Sequence, residues 1–343
     1  MPALARGLLK QTMTIIERDP WRTQYFDGVQ CPPSVDIPTD DLDAFDWNPR
    51  HRCIYDKFRV ARSQGLACGR RDSPPRHYPV FCKPVTNLKG MGLDIHVLRN
   101  AQDLQKFCTA GHFWMTLLRG DHVSTDLAVI DGAAVWSRHT IGRPGPEGTF
   151  NYWTVRADYS DELTHTCHAW VRTNLNGYTG MLNIETIGGR IIEAHLRFAD
   201  QWPDLYGAGW IDAVVGLYAR GQWHFDDSQR RDGFSVVLFG PHGRQYSHPP
   251  ADTIARIRST PQVSSLQITF HAGQPGSLHA MPPGGFRLAI INTWDLATGL
   301  AVRRQMAREF DLRRRPARFP SASRRVPVPA SNADARSSTR HHD

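Results

Sequence analysis

The segment Met181-Leu-Asn-Ile-Glu-Thr-Ile-Gly-Gly-Arg-Ile-Ile-Glu-Ala-His-Leu-Arg197 constrains the fold more than any other part of the chain. Two runs rich in β-branched and apolar residues flank Gly188-Gly189, and a glycine pair supplies the positive φ that a two-residue hairpin turn demands. The expectation is a pair of adjacent antiparallel strands with Glu185 on one arm and Glu193 on the other. Side chains alternate along a strand, and an even offset within each arm would keep both carboxylates on one face. Carboxylates aimed at a common point repel, so the pair calls for a cation, and hard oxygen ligands of this kind suit Mg²⁺ holding a nucleotide's phosphates. Arg197 then stands ready for phosphate or acyl-phosphate oxygens. Taken alone, two exposed glutamates on the wet side of a hairpin would fit the same pattern.

The chain has 343 residues, enough for about two domains, and with 40% apolar and 22% charged residues it can fill a core. No apolar run approaches the roughly 20 residues of a membrane span. Residues 1 to 20 carry Arg6, Lys10 and Arg18 beside Glu17 and Asp19, without the apolar stretch of a secretory signal. A cytoplasmic protein with no membrane partner is expected. The six cysteines, at 31, 53, 68, 82, 108 and 167, form no C-x-x-C pair and read as reduced thiols. The 16 histidines are spread along the chain rather than set at zinc spacing.

Net charge is +8, and its location decides its meaning. Residues 313 to 343 hold eight arginines against Asp334 and Asp343, which leaves only +2 for the rest. Proline, serine and alanine fill that tail, a composition that cannot bury enough apolar area to offset chain entropy, so it reads as disordered. It would tether a polyanion or be a solvated extension. No aromatic-interleaved basic stretch accompanies it, so a nucleic-acid partner is not expected.

Residues 20 to 52, with Pro32-Pro33, Pro38 and Asn48-Pro49, read as irregular. A helix over 54 to 65 ends at Gly65, and strands fit 78 to 84, 113 to 118, 123 to 130, 133 to 138, 181 to 187 and 190 to 196. Helices fit 101 to 108, 160 to 173 and 207 to 221. Strands at 234 to 239, 264 to 270 and 286 to 292 and a helix at 295 to 310 follow. Hairpins interleaved with helices indicate an α+β arrangement.

Three segments in order carry the chemistry. Tyr55-Asp-Lys57 opens the helix that stops at Gly65; Tyr78-Pro-Val-Phe-Cys-Lys83-Pro delivers a lysine at a strand end; Thr86-Asn-Leu-Lys-Gly90-Met-Gly92 follows as a glycine-bearing loop. Lysines supply point charges for phosphates, and glycines let a loop close over them. Together with Glu185 and Glu193-Ala-His195-Leu-Arg197, this set resembles the ATP-grasp superfamily, in particular its biotin-carboxylase-like carboxylate–amine ligases. The resemblance covers about residues 52 to 225 and continues more loosely through 230 to 310, by way of Pro261-Gln-Val, Gly273 and Gly284-Gly285.

The resemblance implies an ATP-grasp fold, two α+β subdomains gripping ATP between them, with a biotin-carboxylase-like C-terminal lobe. Its layout would be a short lobe at 1–52, the ATP-grasp domain at 53–225, the C-terminal lobe at 226–312 and the basic tail at 313–343. Lys57 and Lys83 would neutralise ATP phosphates, and Thr86 to Gly92, with Gly90 and Gly92, would form the flap. Thr116 and the backbone of residues 117 and Leu118 would meet the adenine, His122 the ribose. Glu185, Glu193 and His195 would hold Mg²⁺ or Mn²⁺, with Lys83 and Arg197 in catalytic roles. The implied reaction is ATP-dependent joining of a small carboxylate to an amine through an acyl phosphate, and Asp200, Trp202 and Tyr206 either line the acceptor pocket or belong to the core. ATP binding without turnover, or polyanion binding through the tail, are the alternatives.

Two positions and the length of the N-terminal segment depart from the family. Thr116 stands where a glutamate is common, and His195 stands where an asparagine is usual; imidazole favours Mn²⁺ or Zn²⁺ over Mg²⁺. Some 50 residues precede Lys57 where the family has a lobe of roughly 100, so residues 20 to 52 or a partner subunit would have to complete the cleft, unless that side has been lost.

Overall fold

A computed structural model describes residues 15–312, apart from Met91, Ser277, Leu278 and Ala280. The basic tail lies outside the described residues. The segment read as irregular contains ordered elements: strand β1 (Ile15–Ile16) pairs in parallel with β2 (Ile37–Pro38), and helix α1 (Asp41–Trp47) follows. Asp40 starts α1 by accepting a hydrogen bond from the Asp43 amide, which satisfies one of the helix's orphan donors. Few apolar residues at helical spacing announce this short helix; its cap residue was the available signal.

Asp56 caps helix α2 (Lys57–Ser63) in the same way, and Gly65 takes a positive φ just beyond it. Strands β3 (Cys68–Gly69), β4 (Val80–Pro84), β5 (His96–Leu98) and β6 (His112–Thr116) form an antiparallel sheet in the order β3-β6-β4-β5, with helix α3 (Ala101–Phe107) between β5 and β6 in the chain. Alternation along β4 buries Val80 and Cys82 with Leu104 and Cys108, and turns Phe81 and Lys83 to the opposite side.

The chain then builds β7 (His122–Ile130), β8 (Ala133–Pro144), β9 (Phe150–Val155), helix α4 (Asp161–Asn174), β10 (Gly180–Ile187), β11 (Arg190–His195), helix α5 (Trp210–Arg220), β12 (Gly233–Gly240), helix α6 (Ala251–Arg258), β13 (Val263–Ile268), β14 (Phe286–Thr293) and helix α7 (Leu296–Glu309). The strands of this list form one antiparallel sheet in the order β11-β10-β7-β8-β9-β12-β14-β13. That sheet runs across the division at residue 225/226 expected from the sequence. Both of its faces are covered. Val123, Leu127, Leu182 and Ile184 meet Leu163, Cys167 and Trp170 of α4, while Ala128 and Met181 meet Trp210 and Val214 of α5.

His139 of β8 ties this sheet to α4. Its Nδ1 lies 2.8 Å from Thr125 Oγ1 on β7 and its Nε2 2.8 Å from Thr164 Oγ1 on α4. Burial, with His168 and Arg138 adding repulsion, pushes its pKa down to about 4. Below pH ~6.5 the unfolded chain takes up a proton that the folded protein refuses, so this residue's contribution is complete above that pH and is lost as pH falls toward 4. At ~1.4 kcal/mol per pH unit, denaturation titrations should lose about 3 kcal/mol across that window. The variant His139→Gln should show a correspondingly flatter dependence.

Candidate active site

The site begins with an irregularity in the β10–β11 hairpin. Ile187 pairs with Arg190 and Thr186 with Ile191; continued regularly, Glu185 would oppose Ile192 and Glu193 would turn to the other face. A bulge inserts Ile192 as an extra residue, so Glu185 faces Glu193 and Asn183 faces His195. This corrects the expectation that spacing alone keeps the two carboxylates on one side: the arms are offset by an odd count, and the bulge restores the match. The bulge is pinned from two directions. Gln64, just past α2, accepts from the Ile191 amide at 3.0 Å and donates to the Ile191 carbonyl, and Lys83 Nζ donates to the Ile192 carbonyl at 2.8 Å. The turn rests against the Arg119–Gly120 backbone, where a Cβ on Gly188 would lie 2.2 Å from the Arg119 oxygen, so only glycine fits.

Between the two sheets lies a cleft of about 690 Å³. Phe81, Lys83 and Met115 line it from the smaller sheet, and Ser124, Asn183, Glu185, Glu193 and His195 from the larger. The connection Thr116–Leu118 and the loop from Asn87 to Gly92 line it too, with Gly90 and Gly92 both at positive φ. Thr86 is not among the lining residues, so the flap-like part of this loop begins at Asn87.

Lys57, at the start of α2, forms an ion pair with Glu193. Burial pulls the Lys83 pKa down to about 8, against the stabilising pull of Glu193. Burial also opposes ionisation of Glu193, but Lys57, His195 and Lys83 outweigh it and hold the carboxyl well below its usual range. His122 Nε2 lies 2.8 Å from Glu185 Oε2, with the rings of Phe150 and Trp153 edge-on to the imidazole.

His195 shows how a metal would fit. Its Nδ1 lies 3.0 Å from Asp41 Oδ1, which makes Nδ1–H the donor; Nε2 is buried, has no hydrogen-bond partner among the described residues and lies 3.9 Å from Glu193 Oε2, so that as neutral imidazole it would offer its lone pair to a metal. One potential ligand atom each from Glu185, Glu193 and His195 lies within 4.8 Å of the others. Two carboxylates and an imidazole oriented by a third carboxylate, that of Asp41, make a donor set that fits a divalent cation. Asp41 also accepts from Arg197, at 2.9 Å to Nε and 3.1 Å to Nη2. Burial disfavours the Asp41 carboxylate, yet Arg197 and His195 hold its pKa well below normal.

Asp41 and Gln64 had no signal in the sequence beyond residue type, because each acts across more than 100 positions of chain. Beneath the triad, Asp126 accepts from Asn183 Nδ2 at 2.7 Å, from the Ala199 amide at 2.9 Å and from the Tyr206 hydroxyl, with burial pushing its pKa up to about 6. Tyr206 and Trp202 are buried and bonded to each other, while Trp202 also borders the cleft. Asp200 lines the cleft and pairs with Arg22. Asp19, Trp21, Arg22 and Asp41 show that the segment before Lys57 contributes to the cleft wall.

No family model matches the chain, and no curated protein matches its sequence. Solved structures do match. An L-amino acid ligase from Bacillus licheniformis aligns at 12% identity with a TM-score of 0.53, covering 84% of this chain and 75% of that one. A phosphoribosylamine–glycine ligase from Thermotoga maritima aligns at 13% identity and TM-score 0.53, covering 75% and 77%. The N5-carboxyaminoimidazole synthase of Aspergillus clavatus, in complex with ADP and 5-aminoimidazole ribonucleotide, aligns at 11% and 0.52, covering 76% and 73%. The chain has the ATP-grasp fold.

Lys57 pairs with Glu193, so a metal ion held by Glu185, Glu193 and His195 would compete with it for that carboxylate. Lys57→Met should therefore bind Mn²⁺ more tightly than the wild type without nucleotide and ATP more weakly, by about tenfold each, in calorimetric titrations.

Proposed function

We propose that the protein is an ATP- and divalent-metal-dependent ligase that joins a carboxylate to an amine through an acyl phosphate. The observation that carries this reading is the convergence of Lys57, Lys83, Glu185, Glu193 and His195 on one cleft beneath a glycine-bearing loop. That the matching structures of this fold include an L-amino acid ligase and a phosphoribosylamine–glycine ligase agrees with it.

In this reading the backbone of Thr116 to Leu118 takes the adenine and His122 the ribose. Lys83 and Lys57 lie against the polyphosphate, and the Asn87–Gly92 loop closes over it and excludes water. Lys83 is fixed by the Ile192 carbonyl before substrate arrives, so little reorganisation is needed when charge develops. Glu185, Glu193 and His195 would hold Mg²⁺ or Mn²⁺, which supplies charge neutralisation between the phosphates. The acceptor carboxylate takes the γ-phosphoryl group and ADP leaves. The amine then attacks the acyl carbon, an amide forms, the amine loses its proton and phosphate departs. Arg197, held by Asp41, faces the negative charge of the acyl phosphate. Transfer of this kind needs positioning and cations rather than a covalent nucleophile of the protein.

A second reading, nucleotide binding without turnover, is favoured by the Lys57–Glu193 ion pair, which already occupies one metal-ligand carboxylate. Incubation with ATP, Mg²⁺ or Mn²⁺ and pooled amino acids separates the two. Ligase activity releases ADP and phosphate in an acceptor-dependent manner, and Glu193→Ala lowers the rate by about 100-fold or more. ADP release that survives this substitution contradicts the metal assignment. Tight ATP binding without ADP release supports the second reading.

A further inference from the structure

The wall of the cleft formed by β14 and the N-terminal segment carries donors for which the nucleotide reading has no use. Arg287, the second residue of β14, lines the cleft, and its buried Nε has no acceptor among the described residues. Trp21 and Arg22 line the same cleft, and their buried Nε1 and Nε also lack acceptors. The Trp21 ring packs on His271 and His279, with centroids at 5.3 and 6.4 Å, and His279 feels the charge of Arg287. Three orphaned N–H groups therefore belong to one stretch of wall.

The two arginines differ in charge balance. Arg22 is held by Asp19, at 2.7 Å, and by Asp200. Arg287 makes no ion pair among the described residues; Asp200 and Asp19 attract it only from farther off, and burial together with Arg22 lowers its pKa to about 10. A buried donor without an acceptor forfeits its hydration and regains the loss when an acceptor arrives. An anion would supply acceptor atoms for the orphaned nitrogens and the missing countercharge together, and the planar fork of arginine suits carboxylate and phosphate alike.

We propose that Arg287, with Trp21 as a second donor on the same wall, binds an anionic group, a carboxylate or a phosphate, of the acceptor substrate. This rests on the ligase reading for the word acceptor, while the anion site itself does not. The full chain, saturated with Mg²⁺ and a non-hydrolysable ATP analogue to fill the nucleotide phosphate positions, is titrated with inorganic phosphate and, separately, with succinate. One of the two is expected to bind, and the one that does identifies the group. Arg287→Met should weaken that binding about tenfold or more while leaving affinity for the nucleotide analogue unchanged. It should also raise the melting temperature in the absence of ligand, since it removes a half-buried charge that has no ion-pair partner among the described residues. Trp21→Phe, which deletes one donor and keeps the ring, should weaken the anion less and gives a second test if Arg287→Met does not fold. Failure of both anions to bind the wild type, or equal binding to the wild type and the variant that folds, overturns the proposal. Failure of the nucleotide analogue to bind, with Arg287-dependent anion binding intact, overturns the ligase reading and leaves the anion site standing.

Discussion

Ile192 is one extra residue in a hairpin, and it fixes the face to which Glu193 turns. Side-chain direction in a strand has a period of two, so a slip of one residue moves everything beyond it to the opposite face. Without the bulge, Glu193 and His195 would turn to the apolar side that Ala194 occupies, away from the cleft. With it they join Glu185 on the cleft side. The carbonyl of the bulged Ile192 accepts from Lys83, so the same irregularity aims the carboxylate and anchors the ammonium. Lys83 and Glu193 belong to different sheets. The hydrogen bond from Lys83 to the Ile192 carbonyl therefore links the two walls of the cleft.

Two like charges facing each other across a hairpin would destabilise it if left alone. Here Glu193 has Lys57 and Lys83 within reach, and Glu185 has His122. The protein's own side chains supply countercharge to Glu193 and a hydrogen-bonding partner to Glu185. A similar economy operates one layer out, where the Asp41 carboxylate serves His195 and Arg197 at once. Asp41 comes from the short N-terminal segment, so that segment helps to orient the inner residues as well as to line the wall.

Much of this was legible in the sequence because it is local. The glycine pair at 188 and 189, the short apolar run that ends at Lys83, and the helix stop at Gly65 place the elements within a few residues of where they stand. Short elements without a strong periodic signal, β1, β2, β3, β5, β9, α1 and α6, escaped. The lysines and the acidic pair could be singled out by residue type and order, whereas the bulge could not: nothing in Ile191-Ile192 distinguishes a bulged isoleucine from a paired one. Asp41, Gln64 and Arg287 act through tertiary neighbours far along the chain. For such residues composition is uninformative, and only the fold shows which buried polar atoms have partners and which lack them.

The central claim is that one cleft gathers a triphosphate and its metal between Lys83 and the Glu185, Glu193 and His195 triad. A crystal structure of the protein with Mn²⁺ and a non-hydrolysable ATP analogue tests it most directly, because the anomalous signal of manganese locates the ion independently of the protein. The account predicts the ion bonded to both glutamates and to His195 Nε2, with the terminal phosphate against Lys83. A nucleotide seated elsewhere, or an ion that touches none of these three side chains, would contradict it.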